Sequence, residues 1–194
     1  MAKLKSSLLN MFLSLFIISI VAAAILAFVN IQTSPLIIAS KKQKLENAIQ
    51  EVVPGFDNSP LSESYRLVSN EGDSLTIYPA KKSGELIGIA IESFTMNGFS
   101  GEIRIIVGLT PQGKIIDYAV LQHAETPGLG DKMDPWFRAE KNNQNILGRD
   151  LSQGKLSVSK DGGDVDAITA ATISSRAFLD AVNKAYATYS NSNK

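Results

Sequence analysis

The sequence predicts an α+β fold, in which an amino-terminal membrane helix and a stalk precede an antiparallel-sheet domain that ends in a helix. Three observations predict it: a long apolar run near the N-terminus, a central region of alternating apolar and polar residues, and apolar residues at helical spacing near the C-terminus. Alternation is typical of half-buried strands, and spacing of three and four residues is typical of an amphipathic helix. The 194 residues suffice for one soluble domain beside the membrane segment.

The membrane anchor is predicted in residues 8–31, which are almost wholly apolar and carry no charged side chain. At about 1.5 Å per residue, this run can cross a hydrocarbon core of about 30 Å. A cleaved signal peptide is the alternative, but its apolar region is only about 7–15 residues long and ends in a small-residue cleavage site. Ala22, Ala23 and Ala24 lie inside the run, which favours an uncleaved anchor behind a short cytoplasmic lead, residues 1–7.

Residues 32–56 are interpreted as a stalk that contains a helix. Its apolar side chains recur at helical spacing, and the pair Pro54-Gly55 ends the pattern. The apolar positions are Leu45, Ala48, Ile49, Val52 and Val53. The stalk leads into the soluble domain, residues 57–190.

Four strands are predicted inside this domain, and apolar residues alternate with polar ones in the last three. The strands are residues 74–79, 86–94, 102–109 and 114–121. The residues expected to share a face are Ile87, Ile89 and Ile91; Ile103, Ile105 and Val107; and Ile116, Tyr118 and Val120. Residues 81–85 form a turn, and Pro111 and Gly113 are placed as a type I turn prefers. The last two strands should therefore form an antiparallel hairpin.

The last helix is predicted from apolar residues at helical spacing. They are Phe178, Ala181, Val182, Ala185, Tyr186 and Tyr189. Thr172, Ser174 and Ser175 should therefore lie near its N-terminus, where unpaired N–H groups and the helix dipole favour a phosphate. The simpler alternative is that one of these hydroxyls is only the N-cap. The polar tail, residues 191–194, is expected to fray together with Ser190.

Composition excludes several kinds of site. The chain contains no cysteine, which excludes cysteine-ligated iron–sulfur clusters, c-type haem attachment, disulfides and thiol nucleophiles. The single histidine, His123, excludes a zinc site built from several histidines. A formal net charge of +0 leaves no basic surplus for binding nucleic acid. Redox chemistry would therefore need a bound organic cofactor.

Two glycine-containing stretches could shape a ligand site. Residues 97–101, Asn-Gly-Phe-Ser-Gly, lie between two predicted strands and form either a plain hairpin loop or a close approach to a ligand. Residues 123–130, His-Ala-Glu-Thr-Pro-Gly-Leu-Gly, follow the last strand, and Pro127 and the glycines fix an irregular backbone beside polar side chains. Trp136 comes next and either covers a ligand or anchors the core.

A third stretch links a glycine turn to the last helix. Residues 160–166 contain the pair Gly162-Gly163, and residues 166–175 read Asp-Ala-Ile-Thr-Ala-Ala-Thr-Ile-Ser-Ser. This second segment resembles the FMN attachment motif of the G subunit of the Rnf electron-transport complex and of the related C subunit of sodium-pumping NADH:quinone oxidoreductase. Residues 123–130 resemble the His-x-Glu-Thr-Pro-Gly-Leu-Gly signature of the same FMN-binding domains. The commonest family pattern has glycine where this chain has Ala170.

The resemblance implies a set of site residues. In these families a threonine carries FMN through a phosphoester bond, and the matching residue is Thr172. The other implied cofactor-binding residues are His123, Glu125, Thr126, Gly128, Leu129, Gly130, Asp166, Thr169, Ala170, Ala171 and Ser174. Asp166 also belongs to the sequence recognised by a flavin transferase, which cleaves FAD with magnesium, transfers FMN to the threonine and releases AMP.

The resemblance covers nearly the whole chain and implies an Rnf-type G subunit. Such a protein carries electrons beside other membrane subunits of a complex that couples ferredoxin oxidation and NAD reduction to sodium or proton movement; it is not expected to catalyse alone. The quinone-reductase C subunit, which is usually longer, is one alternative, and a membrane-tethered protein that binds a phosphorylated ligand without redox chemistry is another. A hydrolase that pairs a serine with His123 lacks the Gly-x-Ser-x-Gly elbow.

The orientation of the anchor depends on the resemblance. Lys3 and Lys5 precede the apolar run and Lys41, Lys42 and Lys44 follow it, so the positive-inside rule alone does not decide. The family arrangement implies a single-pass protein of the cell inner membrane, with the globular domain on the periplasmic side.

Overall fold

A computed structural model describes residues 7–192. Residues 1–6 of the predicted lead and residues 193–194 of the predicted tail lie outside the described residues. The helices are α1 (Leu8–Val52), α2 (Met133–Trp136) and α3 (Thr172–Ser192). The strands are β1 (Tyr65–Val68), β2 (Ser74–Lys82), β3 (Glu85–Gly98), β4 (Gly101–Leu109) and β5 (Ile115–Gln122). The α+β prediction is confirmed.

Helix α1 covers both the predicted anchor and the predicted stalk helix. It is long and apolar enough to cross a membrane, and Pro35 lies within it. The chain divides into two compact units, Met1–Gln43 and Lys44–Lys194. The last turns of α1 therefore belong to the same unit as the sheet, while the domain boundaries given above remain predictions.

The five strands form one antiparallel sheet in chain order, from β1 to β5. Strands β2 to β5 occupy the predicted positions within a few residues. Strand β1 is not among the predicted strands, because its residues are exposed or half-buried and show no apolar alternation.

Both faces of the sheet are covered by helix. Helix α3 packs on one face, where Phe178 and Ile105 belong to the same buried cluster. The last turns of α1 pack on the other face, where Ile49 and Ile106 share a second buried cluster. The two clusters explain why both sides of the central strands carry apolar residues.

Two isoleucines lie on the opposite face from the one predicted. Ile87 was expected beside Ile89, and Ile116 beside Tyr118, but both pack in the cluster under α1. The pairing of β2 with β3 skips Ile87, and the pairing of β4 with β5 skips Ile116. Each is the extra residue of a β-bulge, which shifts the alternation by one position and turns the side chain to the other face. The remaining predicted positions share the face under α3.

Helix α3 confirms the predicted C-terminal helix. Its buried residues include Phe178, Ala181, Val182, Ala185 and Tyr189, as the apolar spacing indicates. The helix continues through Ser192, so residues 190–192, which were expected to fray, are helical.

Candidate cofactor-binding site

The loop after β5 and the N-terminus of α3 meet at one cavity, here called the motif cavity. Its volume is ≈ 290 Å³. It is lined by Phe99, Glu125, Thr126, Leu129, Gly130, Ala170, Ala171, Thr172, Ile173 and Ser174. The two predicted motifs, which are distant in sequence, thus form the walls of one site together with the β3–β4 loop.

Glu125 connects the three segments that form the motif cavity. Its side chain is 4% exposed. The Ser174 hydroxyl, on α3, donates a hydrogen bond to Glu125 Oε2, and the Ser100 amide, in the β3–β4 loop, donates to Oε1 at 3.0 Å. A buried polar group that loses its partner is costly, so these bonds hold the loop, the hairpin and the helix in one arrangement.

Two glycines leave the space that the Glu125 carboxylate occupies. A Cβ atom at Gly98 would lie 2.7 Å from Oε1, and one at Gly130 would lie 2.6 Å from Oε2. Real Cβ atoms essentially never approach another heavy atom so closely. The glycines therefore permit close packing around the Glu125 carboxylate.

A second cavity, here called the loop cavity, adjoins Thr172. Its volume is ≈ 420 Å³. It is lined by Trp136, Asn142, Gln144, Ser159, Lys160, Asp166, Ala167, Ile168, Thr169, Ala170 and Thr172. Because Ala170 and Thr172 line both cavities, the Thr172 side chain lies where they meet.

Helix α3 begins at Thr172, so its N-cap position is Ala171. A methyl side chain cannot accept hydrogen bonds from the first amides of the helix, and the simpler N-cap interpretation of Thr172 therefore does not describe this helix. The Thr172 hydroxyl instead accepts a hydrogen bond from Lys160 Nζ at 3.1 Å. Cation, hydroxyl and helix N-terminus together favour an anionic group at this position.

Ala170 has a left-handed backbone conformation, with φ of 62°. This conformation costs an L-residue about 1–2 kcal/mol, whereas glycine adopts it readily. The geometry gives a physical reason for the glycine that the resembled motif places at this position.

The segment before Thr172 is fixed through Asp166 and Trp136. Trp136 Nε1 donates to the Asp166 carbonyl at 2.8 Å, and the half-buried ring packs against the core. The Asp166 carboxylate accepts from the Ser159 hydroxyl at 2.9 Å and from the backbone N–H of Asn143 at 3.2 Å. The structure therefore agrees with the interpretation that Trp136 anchors the core. Its ring also borders the loop cavity.

Most of the implied site residues line one of the two cavities. The motif cavity holds Glu125, Thr126, Leu129, Gly130, Ala170, Ala171, Thr172 and Ser174, and the loop cavity holds Asp166 and Thr169. His123 and Gly128 line neither. The exposed His123 accepts a hydrogen bond from the backbone N–H of Glu125 through Nδ1 at 3.2 Å. This bond lies within the loop of residues 123–130 and helps to order it. Gly128 supplies a turn with φ of 78°.

The residues at the site that are absent from the implied set include Phe99 and Ile173, which line the motif cavity, and Lys160, which contacts Thr172. Phe99 lies in the glycine loop of residues 97–101, for which a ligand approach was one of two interpretations, and its ring is 67% exposed. Ile173 is an apolar residue that the helix leaves 48% exposed, off the buried stripe. Lys160 lies in the turn before the attachment motif, and only the tertiary structure brings it to Thr172.

These residues fit a flavin nucleotide. Phe99, Leu129 and Ile173 offer exposed apolar surface against which a ring system can pack. Thr172, Lys160 and the first turn of α3 supply hydrogen-bond donors and positive charge for a phosphate. Within residues 7–192, no group of three or more acidic or histidine side chains is placed to hold a metal ion.

Comparison with known proteins gives matches over the same region. Residues 98–187 match the model of the FMN-binding domain family. A protein of Vibrio parahaemolyticus, named as the G subunit of an ion-translocating oxidoreductase complex, is 35% identical over 178 residues, covering 88% of this chain and 83% of the relative. A protein with the same name from Shewanella amazonensis is 32% identical, and the match covers 86% of this chain and 80% of the relative. Another from Vibrio cholerae is 34% identical, and the match covers 89% of this chain and 86% of the relative.

Proposed function

The chain belongs to the family of G subunits of ion-translocating oxidoreductase complexes, with an FMN-binding domain in residues 98–187, and we propose that it carries its FMN on Thr172 through a phosphoester bond. Its place in this family gives it an electron-carrier role as one subunit among several. The three relatives described above all bear the G-subunit name, which favours the G-subunit prediction over the quinone-reductase C subunit.

The observation that carries the covalent proposal is the position of the Thr172 hydroxyl. It borders both cavities, lies at the N-terminus of α3 and accepts a hydrogen bond from an ammonium group. A phosphate attached there meets the positive end of the helix dipole. The ring system of the same nucleotide can then reach the apolar residues of the motif cavity, Phe99 and Leu129.

The proposed attachment is a phosphoryl transfer to which this chain contributes only the acceptor. A bond forms between Thr172 Oγ1 and the FMN phosphorus of FAD, while the pyrophosphate bond to AMP breaks and AMP leaves with the bonding electrons. The threonine proton is taken up by the flavin transferase or by water, and magnesium comes with the transferase. Bound FMN supplies one-electron and two-electron redox chemistry.

We also propose the place of this carrier in the cell. The domain faces the periplasmic side of the inner membrane, and the complex is of the Rnf type, which links ferredoxin oxidation and NAD reduction to ion movement. A covalent bond prevents loss of FMN on a side of the membrane where no cytoplasmic pool could replace it. The residues of the chain orient and retain the flavin, and neighbouring subunits supply and remove the electrons.

The test is co-expression of the full chain with a flavin transferase, followed by intact mass measurement and in-gel fluorescence of the denatured protein. We expect a fluorescent chain with the mass of one added FMN. Thr172→Val should abolish the adduct because no hydroxyl remains, and Thr172→Ser should retain part of it.

Thr76→Val is the matched control, because Thr76 is a half-buried threonine of β2 that lines neither cavity. It should be modified like the wild type. A dark, unmodified wild-type chain would refute covalent attachment, and the flavin absorbance of the native protein would then separate non-covalent FMN binding from a non-redox ligand-binding protein. An adduct that survives in Thr172→Val would place the bond on another residue.

A further inference from the structure

A short turn beside Thr172 is fixed at both of its ends. The turn is a 3-10 helix, Ser159–Asp161, and Gly162, with φ of 83°, ends it. Its middle residue, Lys160, directs Nζ to Thr172 Oγ1 at 3.1 Å. The residues on either side of Lys160 determine whether this geometry is maintained.

The first end of the turn is held by the strand-like segment that follows it. The Ser159 hydroxyl donates to Asp166 Oδ1 at 2.9 Å, and the Ser159 amide donates to the Val165 carbonyl at 2.8 Å. The other carboxylate oxygen of Asp166 accepts from the backbone N–H of Asn143 at 3.2 Å. Both oxygens of Asp166 are therefore used inside the domain.

The second end of the turn is held by helix α3. Arg176 donates to the Asp161 carboxylate through Nε at 2.7 Å and through Nη2 at 2.6 Å. A two-bond pair of this kind fixes direction as well as distance. The hydrogen bonds from Arg176 also hold the pKa of Asp161 below its ordinary value.

A lysine held in this position can pair with a negatively charged phosphate. The phosphodiester formed on Thr172 would bear one negative charge on the oxygens next to Oγ1. Lys160 Nζ already lies within hydrogen-bond distance of that ester oxygen, and an ammonium group binds phosphate as a point charge. Lys160 is exposed, so a phosphate can reach its ammonium group from solvent without displacing a buried side chain.

We propose that Lys160 is the phosphate-binding residue of the attachment site, and that Ser159 and Asp166 are positioning residues that hold it against Thr172. This inference rests on the proposed covalent attachment and assigns roles within the same site. Asp166 then contributes to FMN transfer through the shape of the turn, because its carboxylate oxygens are occupied within the domain.

The test compares the initial rate of FMN addition between the wild type and variants of the full chain. Each purified chain is incubated with flavin transferase, FAD and magnesium, and the adduct is measured over time by intact mass. Lys160→Met should slow addition about tenfold or more, as expected for loss of a charge-assisted hydrogen bond. Lys160→Arg keeps the charge and should restore most of the rate. Lys155→Met, which removes an exposed lysine of the same segment, should leave the rate unchanged.

A second measurement separates binding of the phosphate from recognition by the transferase. After long incubation, the phosphorus NMR resonance of the modified chain should shift in Lys160→Met and stay in place in Lys155→Met. A slower rate with an unchanged resonance would assign Lys160 to transferase recognition and overturn the inference. So would a Lys160→Met chain that matches the wild type in both measurements.

The positioning role is tested by combining substitutions. Ser159→Ala and Asp166→Asn should each slow addition, and Ser159→Ala with Lys160→Met should be no slower than Lys160→Met alone, because coupled residues are not additive. Additive losses would overturn the positioning role. A wild-type chain that is never modified would refute the proposed covalent attachment itself. A modified wild type whose variants add FMN at the same rate would refute only the roles of Lys160, Ser159 and Asp166.

Discussion

At the residue scale, Glu125 shows how a polar side chain can belong to a site mainly by shaping it. Its oxygens accept from the Ser174 hydroxyl and the Ser100 amide, so three segments are joined through one carboxylate. The exposed surface of the cavity comes instead from apolar residues such as Phe99 and Leu129. The resemblance assigns Glu125 to the flavin site, and the structure adds that it supports the walls of that site.

Ala170 is a strained residue whose replacement should stabilise the domain. Its φ of 62° costs about 1–2 kcal/mol, while glycine at such a position loses about 0.4–1 kcal/mol through the freedom it gains in the unfolded chain. Ala170→Gly should therefore raise the free energy of unfolding by up to about 1.5 kcal/mol. Urea unfolding of the full chain in detergent measures this change in the free energy of unfolding.

The control for this substitution is Ala177→Gly, at a buried position inside α3. It should lower the free energy of unfolding by about 1 kcal/mol, because glycine is unfavourable in a helix interior. Equal destabilisation by both substitutions would contradict the assigned strain at Ala170.

At the scale of elements, α3 is held to the edge of the sheet by Lys184. Its side chain is 9% exposed and pairs with Glu71 at 2.7 Å and with Asp73 at 2.8 Å, in the β1–β2 turn. The ammonium also lies 5.5 Å from the centre of the Phe94 ring. Burial acts to lower the pKa of Lys184, but the hydrogen bonds to Asp73 and Glu71 outweigh it and the pKa is raised.

Lys184→Met should lower the free energy of unfolding by about 1–2 kcal/mol at pH 7, since it removes two ion pairs and keeps the apolar stem. A raised pKa stabilises the fold fully below the lysine value of the unfolded chain, about 10.4, and this contribution disappears as pH rises through the folded value. The difference between wild type and variant should therefore persist at pH 9 and shrink above about pH 10.5. Urea titrations at several pH values measure it.

Lys155→Met serves as the control here too and should leave the free energy of unfolding unchanged, because Lys155 is exposed. A Lys184→Met difference that stays constant far above pH 11 would show that the ion pairs are not its cause.

At the scale of the whole molecule, the proposed orientation can be tested because the chain contains no cysteine. A single Lys155→Cys variant should react in intact spheroplasts with a maleimide that cannot cross the membrane, since the domain is proposed to face the periplasm. Lys3→Cys should react only after permeabilisation. The reverse pattern would place the domain in the cytoplasm and contradict the proposal.

Much of the fold follows from local pattern. The strands β3 to β5 and helix α3 appear where alternation and helical spacing predict them, because burial on one face imposes a period on the sequence. Ile87 and Ile116 lie on the other face because a β-bulge adds one residue, and nothing in the local pattern marks that addition. Strand β1 has only the half-buried Leu67 against the core and so lacks a clear pattern.

The sequence by itself determined the apolar anchor segment, the two motifs and Thr172 as the candidate attachment residue, because these depend on residue identity over short stretches. Only the tertiary structure decided which side chains meet at that residue. The Ser174 hydroxyl reaches Glu125 across 49 positions, Lys160 reaches Thr172 through a turn fixed at both ends, and His123 lies outside the cavity. Such contacts are set by how the sheet, loops and helix pack together, which no local spacing encodes.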